Sequence, residues 1–218
     1  VTLFTREEVY SPVASQLQAV MVNGWKANLK FPETVTAILF GPGLHAPGIA
    51  EEMKPMLRKL WRDAELPVVV DASALDWLAP HILPDDYVRV VTPHPGEAAR
   101  LLNWPTAKVQ ANRVGAVREI SRQYGNCWVV LKGHQTVIGR SRGEVHVNSS
   151  GNPHLAQGGS GDVLSGFLAG LAAQPELQKD LGQALRFAAW QHGAAADELQ
   201  ASRRNWVVED LVEQLGGL

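Results

Sequence analysis

The segment Gln157-Gly158-Gly159-Ser160-Gly161-Asp162-Val163 joins two chemistries within a few residues. Its glycines let several backbone N–H groups converge on one point, and the apolar run from Val163 through Ala173 predicts a helix beginning there. Such a turn is an anion cradle suited to a phosphate. Asp162 would repel that anion unless it faces a substrate or a metal ion. An aspartate so placed can deprotonate or orient an attacking hydroxyl in phosphoryl transfer. The same residues also describe an ordinary turn in which Asp162 caps the helix that follows. The elements around the segment must decide between the two.

Those elements alternate. VTLF reads as a strand, and TVTAILF is a strand-like run ending in Gly41-Pro42-Gly43. A helical stretch from about Ile49 to Ala64 precedes Pro67-Val68-Val69-Val70, which ends in Asp71. YVRVV leads into Thr92-Pro93-His94-Pro95-Gly96-Glu97, and a helical stretch from Lys108 to Tyr124 precedes CWVVLKG. TVIGR and EVHVN suit a hairpin around Arg142-Gly143, and beyond Val163 the pattern is nearly all helical. Three continuous apolar strands separated by helix-length segments predict an α/β fold, a mostly parallel central sheet covered by helices on both faces, and the length admits one large domain over 1–218 or two small ones. Gly41 to Gly43, Asp71, the TPHPGE run and Lys132-Gly133 all fall at carboxyl ends of strands. Open α/β sheets bind ligands there, so these residues should gather around one crevice.

Each strand end has two readings. Gly41 and Gly43 either admit a ligand close to the backbone or turn the chain around Pro42. His94, held between prolines, either presents an imidazole to a substrate or serves a rigid turn. Glu97 favours the first turn of the next helix. Lys132 either brings an ammonium to a nucleotide phosphate or is a solvated strand terminus, and for Asp71 capping of the next element is the favoured role. His146 and His192 read as structural, Cys127 as a buried small hydrophobe, and the seven tryptophans as packing residues of a core or subunit interface.

Composition narrows the class. With 218 residues, 45% hydrophobic and 19% charged, the chain is long enough for a sizeable core, and a net charge of −2 leaves no basic footprint for nucleic acid. One cysteine excludes an internal disulfide, and no apolar stretch reaches membrane-span length, so a soluble cytoplasmic protein with no membrane partner is expected.

The ordered set GPGLH, VVVDASAL, VTPHPGEAARLL, VVLKGHQTVI, NSSGNPHLAQGGSGDVLSGFLAGLAAQ and HGAAAD closely resembles the ADP/ATP-dependent NAD(P)H-hydrate dehydratases of the ribokinase-like superfamily. The resemblance implies a ribokinase-like three-layer fold and a repair reaction. In it, a nucleotide phosphorylates the ring hydroxyl of hydrated NADH or NADPH, and loss of phosphate regenerates the cofactor. It places Asp162 as base, with Gly159, Ser160 and Gly161 as the anion hole. Gly43 and His94 would line the hydrated-nicotinamide pocket with Asp162. Lys132, Gly133, His134, Gln135 and Thr136 would contact the nucleotide, Gly161 lying close to its phosphates. The resemblance further implies ADP or ATP as phosphoryl donor, Mg²⁺ without a nameable protein ligand, a homo-oligomer, and NAD(P)H-hydrate epimerase as functional partner. Ser73 stands where the family commonly has an acidic residue and His45 where it has glycine. The glycine-rich strand and helix with which family domains begin is expected to be missing from this chain. Two other functions share these residues: a small-molecule kinase of the same superfamily, and a nucleotide-binding relative with impaired catalysis.

Overall fold

The apolar runs become a six-stranded sheet in the computed structural model, which describes residues 1–26, 29, 31–45, 48–84 and 86–215. The chain divides into two compact units, Val1–Val35 and Thr36–Leu218. In the first, β1 (Thr2–Thr5) and β2 (Met21–Gly24) pair in parallel, joined by α1 (Glu7–Gln16). Neither α1 nor β2 was legible in the sequence. Pro12 interrupts the helical pattern of α1, which buries no residue, and the short strand MVNG has no fully buried face.

The second unit holds β3 (Ile38–Phe40), α2 (Ile49–Asp63), β4 (Val68–Val70), β5 (Arg89–Val91), α3 (Pro95–Leu102), α4 (Thr106–Ala111), α5 (Arg113–Gln123) and β6 (Trp128–Leu131). The hairpin β7 (Val137–Gly139) and β8 (Val145–Val147) follows, then α6 (Ser160–Ala172), α7 (Pro175–Gln178), α8 (Leu181–Ser202) and α9 (Val208–Gln214). Sheet order is β3-β4-β5-β6-β7-β8, parallel through β6 and antiparallel beyond. The one helix expected from Lys108 to Tyr124 is two, α4 and α5. The break falls at Asn112, which leaves helical geometry (φ −143°, ψ 67°) and caps α5 by accepting from the Gly115 N–H at 2.9 Å.

Alternation along the strands supplies both faces with apolar side chains. Val69, Val90, Val130 and Ile138 pack under α6 and α8, against Leu164, Leu168, Leu185 and Ala188. Val91, Val129 and Leu131 are equally buried, and α5 packs against β6 and β7. A helix layer on each face makes the third layer and fixes all four parallel strand ends at one sheet edge.

Two buried polar groups belong to this scaffold. Arg89 is 1% exposed and has no carboxylate partner among the described residues; its N–H groups donate to the carbonyls of Trp61 (2.6 Å), Ala64 (2.6 Å), Val88 (2.9 Å), Leu60 and Leu66 (both 3.2 Å). It thereby closes the carboxyl end of α2, and burial pulls its guanidinium down to about 10. Cys127 is buried as expected, its thiol pushed up to about 12 by loss of solvent.

Candidate active site

The end of β4 meets the end of β3 where only glycine fits. Gly41 has φ +137°, and a Cβ there would lie 1.8 Å from the Asp71 carbonyl oxygen. Asp71 is thus fixed by its backbone, whose N–H donates to the Phe40 carbonyl at 3.1 Å, and it is fully buried. It stands at the N-cap position of a 3-10 turn, Ala72–Trp77, yet makes no capping hydrogen bond. Its Oδ1 accepts from Lys132 Nζ at 2.6 Å, and its Oδ2 is buried without a partner among the described residues. The capping role favoured for Asp71 is therefore corrected. A carboxylate this far inside requires a counter-charge, and the lysine two strands away supplies it.

Lys132 leaves β6 with its N–H donating to the Pro93 carbonyl at 2.8 Å. Its side chain is 17% exposed and crosses above the end of β5, so it is not a solvated strand terminus. Nζ lies 3.2 Å from where a Cβ on Gly161 would stand. The ammonium is thus held against the start of α6.

Gly159 is the N-cap of α6, in the left-handed region at φ +87°, and the first helical bond runs from the Val163 N–H to the Gly159 carbonyl at 2.9 Å. The N–H groups of Gly161 and Asp162 precede that ladder and point out of the helix end. Ser160 is buried. Asp162 lies inside the first turn rather than at the cap, which removes the simple capping reading. Its carboxyl is raised above the ordinary value by loss of water around it and by the Asp71 charge, with Lys132 opposing.

Behind the glycine turn stands His192 of α8, 6% exposed, with Nε2 3.1 Å from the Ser160 carbonyl oxygen. Burial holds its imidazole down to about 4, and the Lys132 charge adds to that effect. It is neutral at physiological pH, and Nε2–H donates to Ser160. The structural reading of His192 holds, but its place against the anion cradle was hidden in an alanine-rich helix.

The β6–β7 connection carries Gly133, His134, Gln135 and Thr136. Gly133 (φ +126°) and Gln135 (φ 57°) bend it, and Thr136 Oγ1 donates to the Gly133 carbonyl at 3.2 Å. His134 and Gln135 are exposed. Arg113 of α5 braces this turn, donating through Nη2 to the carbonyls of Leu131 (2.9 Å) and Lys132 (3.3 Å). No motif distinguishes Arg113 from other surface arginines in the sequence.

Gly43 and His94 stand at the same sheet edge, beyond β3 and β5. Gly43 is exposed with φ +76° and open space where a Cβ would be. His94 caps α3: Nδ1 accepts from the N–H groups of Gly96 (3.0 Å) and Glu97 (3.3 Å), while Glu97 Oε2 accepts from the His94 N–H at 2.7 Å. Glu97 thus starts the helix as expected. With Nδ1 as acceptor, the proton sits on Nε2, which lies 3.4 Å from Glu97 Oε1, while about half of the side chain stays exposed. A cavity of about 520 Å³ lies nearby, lined by Leu44, His45, Ser73, Trp77, Glu97 and Arg100 among others, with Arg100 Nε paired to Asp76 at 2.9 Å. His45 and Ser73 share this cavity.

No group of three or more His, Cys, Asp or Glu among the described residues could hold a metal ion. None of the described helices is long and apolar enough to cross a membrane.

The family profile described as NAD(P)H-hydrate dehydratase matches residues 1–215. The chain belongs to this family. It is similar to the ADP-dependent (S)-NAD(P)H-hydrate dehydratase of Neisseria meningitidis serogroup B, 44% identical over 148 residues, covering 66% of this chain and 49% of that protein. It is also similar to the bifunctional NAD(P)H-hydrate repair enzyme of Moorella thermoacetica, 41% identical over 190 residues, covering 83% of this chain and 34% of that protein. The chain therefore spans about a third to a half of the length of these curated relatives. Among solved structures, the ADP/ATP-dependent NAD(P)H-hydrate dehydratase of Bacillus subtilis, co-crystallised with ATP/Mg²⁺, superposes with a TM-score of 0.81 at 29% identity, covering 98% of this chain and 76% of that one. The fold is ribokinase-like, a mostly parallel sheet flanked by helices.

Proposed function

We propose that this dehydratase-family chain carries out nucleotide-dependent dehydration of hydrated NADH or NADPH, with residues 1–218 acting as one functional domain. The observation that carries the reading is the clasp of Lys132 by Asp71 against Gly161, one residue before Asp162. It brings a cation, free backbone N–H groups and a carboxylate of raised pKa to one helix start. A phosphoryl group fits between the cation and the N–H groups, and a hydroxyl fits beside the carboxylate.

In this reading the substrate hydroxyl oxygen attacks the terminal phosphorus of ADP or ATP as Asp162 takes its proton. The bond from phosphorus to the bridging nucleotide oxygen breaks, and Gly159, Ser160 and Gly161 hold the charge in flight. Phosphate then departs with the carbon–oxygen electron pair, and the adjacent ring carbon gives up a proton, restoring the ring double bond. A pKa raised above that of a free aspartate makes Asp162 the stronger base of the two. Gly43 and the exposed ring of His94 would wall the hydrated nicotinamide, and Lys132 to Thr136 would hold the nucleotide. No group among the described residues resembles a metal cage, so Mg²⁺ would come with the nucleotide phosphates and neutralise them. The aromatic face of Phe187 and Trp190, each nearly half exposed on α8, supports a homo-oligomer. Bifunctional relatives support an epimerase as functional partner, supplying the reactive hydrate form.

The test is to add hydrated NADH, Mg²⁺ and either ADP or ATP and to follow the return of reduced-nicotinamide absorbance. Signal that needs the nucleotide is expected, with Asp162→Asn abolishing it while nucleotide affinity stays within a few-fold. Accumulation of a stable phosphorylated product, or equal loss of binding and turnover in Asp162→Asn, would overturn the reading.

A further inference from the structure

Asp71 has no place in the reaction just described, yet it is the most deeply buried charge at the site. We propose that Asp71 is a positioning residue, which holds the Lys132 ammonium over the start of α6 for the phosphoryl group in flight. The inference rests on the phosphoryl-transfer reading above.

Three observations carry it. The carboxylate is fully buried and immobilised, since its backbone is bonded to β3 and its carbonyl leaves no room beyond Gly41. Its Oδ1 meets Nζ at 2.6 Å, whereas Oδ2 meets no partner among the described residues, so the lysine is the carboxylate's one polar contact described. The ammonium so held lies against Gly161, at the positive end of α6. Two positive ends do not remain together in the empty site unless an anion offsets them. A free lysine on its four-carbon stem would swing to water and would lose rotamer freedom each time it returned. Asp71 removes that cost by fixing the ammonium beforehand. His192 and Asp162, the other titratable groups facing this point, make no hydrogen bond to Nζ.

A residue that positions a cation for the transition state acts on the transferred group more than on the resting nucleotide. In Asp71→Asn the lysine loses its anchor, but the nucleotide also loses a repelling charge. Affinity for ADP alone, by calorimetry, is therefore expected to stay within about threefold. Affinity for the leaving nucleotide with fluoroaluminate (ADP where ATP is the donor, AMP where ADP is), which mimics the phosphoryl group in flight, is expected to fall roughly 10- to 100-fold, the range of one charge-assisted hydrogen bond. Placed on Lys132→Met, Asp71→Asn is expected to add nothing, because it acts through that lysine. Equal losses for both ligands, or a full additional loss on the Lys132→Met background, would overturn the inference. Should Asp71→Asn not fold, Lys132→Arg keeps the pair and displaces the charge. It is expected to give the same split, and unaltered affinity for the mimic would refute the proposal. These measurements use no hydrated nicotinamide, so a chain that fails to dehydrate it still tests Asp71.

Discussion

Gly161→Ala separates the site from the fold. Gly161 occupies the first turn of α6, and a Cβ there would lie 3.2 Å from Lys132 Nζ and 3.9 Å from its Cε. The nitrogen must yield by a few tenths of an ångström, but its pairing with buried Asp71 at 2.6 Å opposes that movement. The contact is with the far end of a flexible side chain, so the fold can absorb it. Alanine is meanwhile better than glycine in a helix by about 0.5–1 kcal/mol. Melting temperature should stay level or rise by about 2 °C, at roughly 2–4 °C per kcal/mol for a chain of this size. A phosphate denied its seat against the Gly161 N–H and the ammonium loses on the order of 1.5–3 kcal/mol, roughly 10- to 100-fold in affinity. Differential scanning fluorimetry and calorimetric titration with ADP and with ATP measure the two effects. Gly166→Ala is the control, in the same helix with nothing within 4 Å of its Cβ position. Nucleotide affinity unchanged in Gly161→Ala would refute the assignment of this turn as the phosphate seat. A melting temperature lowered by more than about 4 °C would show that the glycine serves the fold.

Three further outcomes are expected. Because Asp162 must be deprotonated to act as base and its pKa is raised by loss of water and by the Asp71 charge, turnover should fall as pH drops through a value above that of an ordinary aspartate. An acid limb at or below the usual aspartate value would contradict the environment described for it. For His192, the unfolded imidazole takes a proton below its ordinary 6.5, but the folded one does so only near 4. The resulting stability, about 3 kcal/mol, is fully present above pH 6.5 and is lost as pH falls toward 4. Urea titrations across that window should show the loss in the wild type and little of it in His192→Gln; parallel curves would refute the linkage. Arg89→Met leaves the carbonyls at the end of α2 without donors and should cost about 3–5 kcal/mol, read as a lower urea midpoint. A cost under about 1 kcal/mol would mean that water replaces the guanidinium.

The sequence by itself determined the layered α/β plan, because continuous valine runs such as Val68 to Val70 and Val129 to Leu131 can be satisfied only by burial on both faces. It also determined which strand ends carry polar residues and that a helix follows the glycine turn, but α6 begins at Ser160, three residues before the apolar run from Val163, because Gly159 and not Asp162 is its N-cap. It gave no sign of α1, where Pro12 masks the pattern, and it merged α4 with α5, because the break at Asn112 depends on a single side chain turning back to cap.

Tertiary structure alone decided the partners. Asp71 and Lys132 are 61 positions apart, and either could have faced water; a sheet order that sets β4 and β6 on either side of β5 brings them to 2.6 Å. His192 reaches Ser160 across 32 positions because α8 packs beside α6, and Arg113 braces the β6–β7 turn for the same kind of reason. A charge pair inside a protein depends on distance and on exclusion of water. Both are properties of packing, which no residue's own neighbours in the chain record.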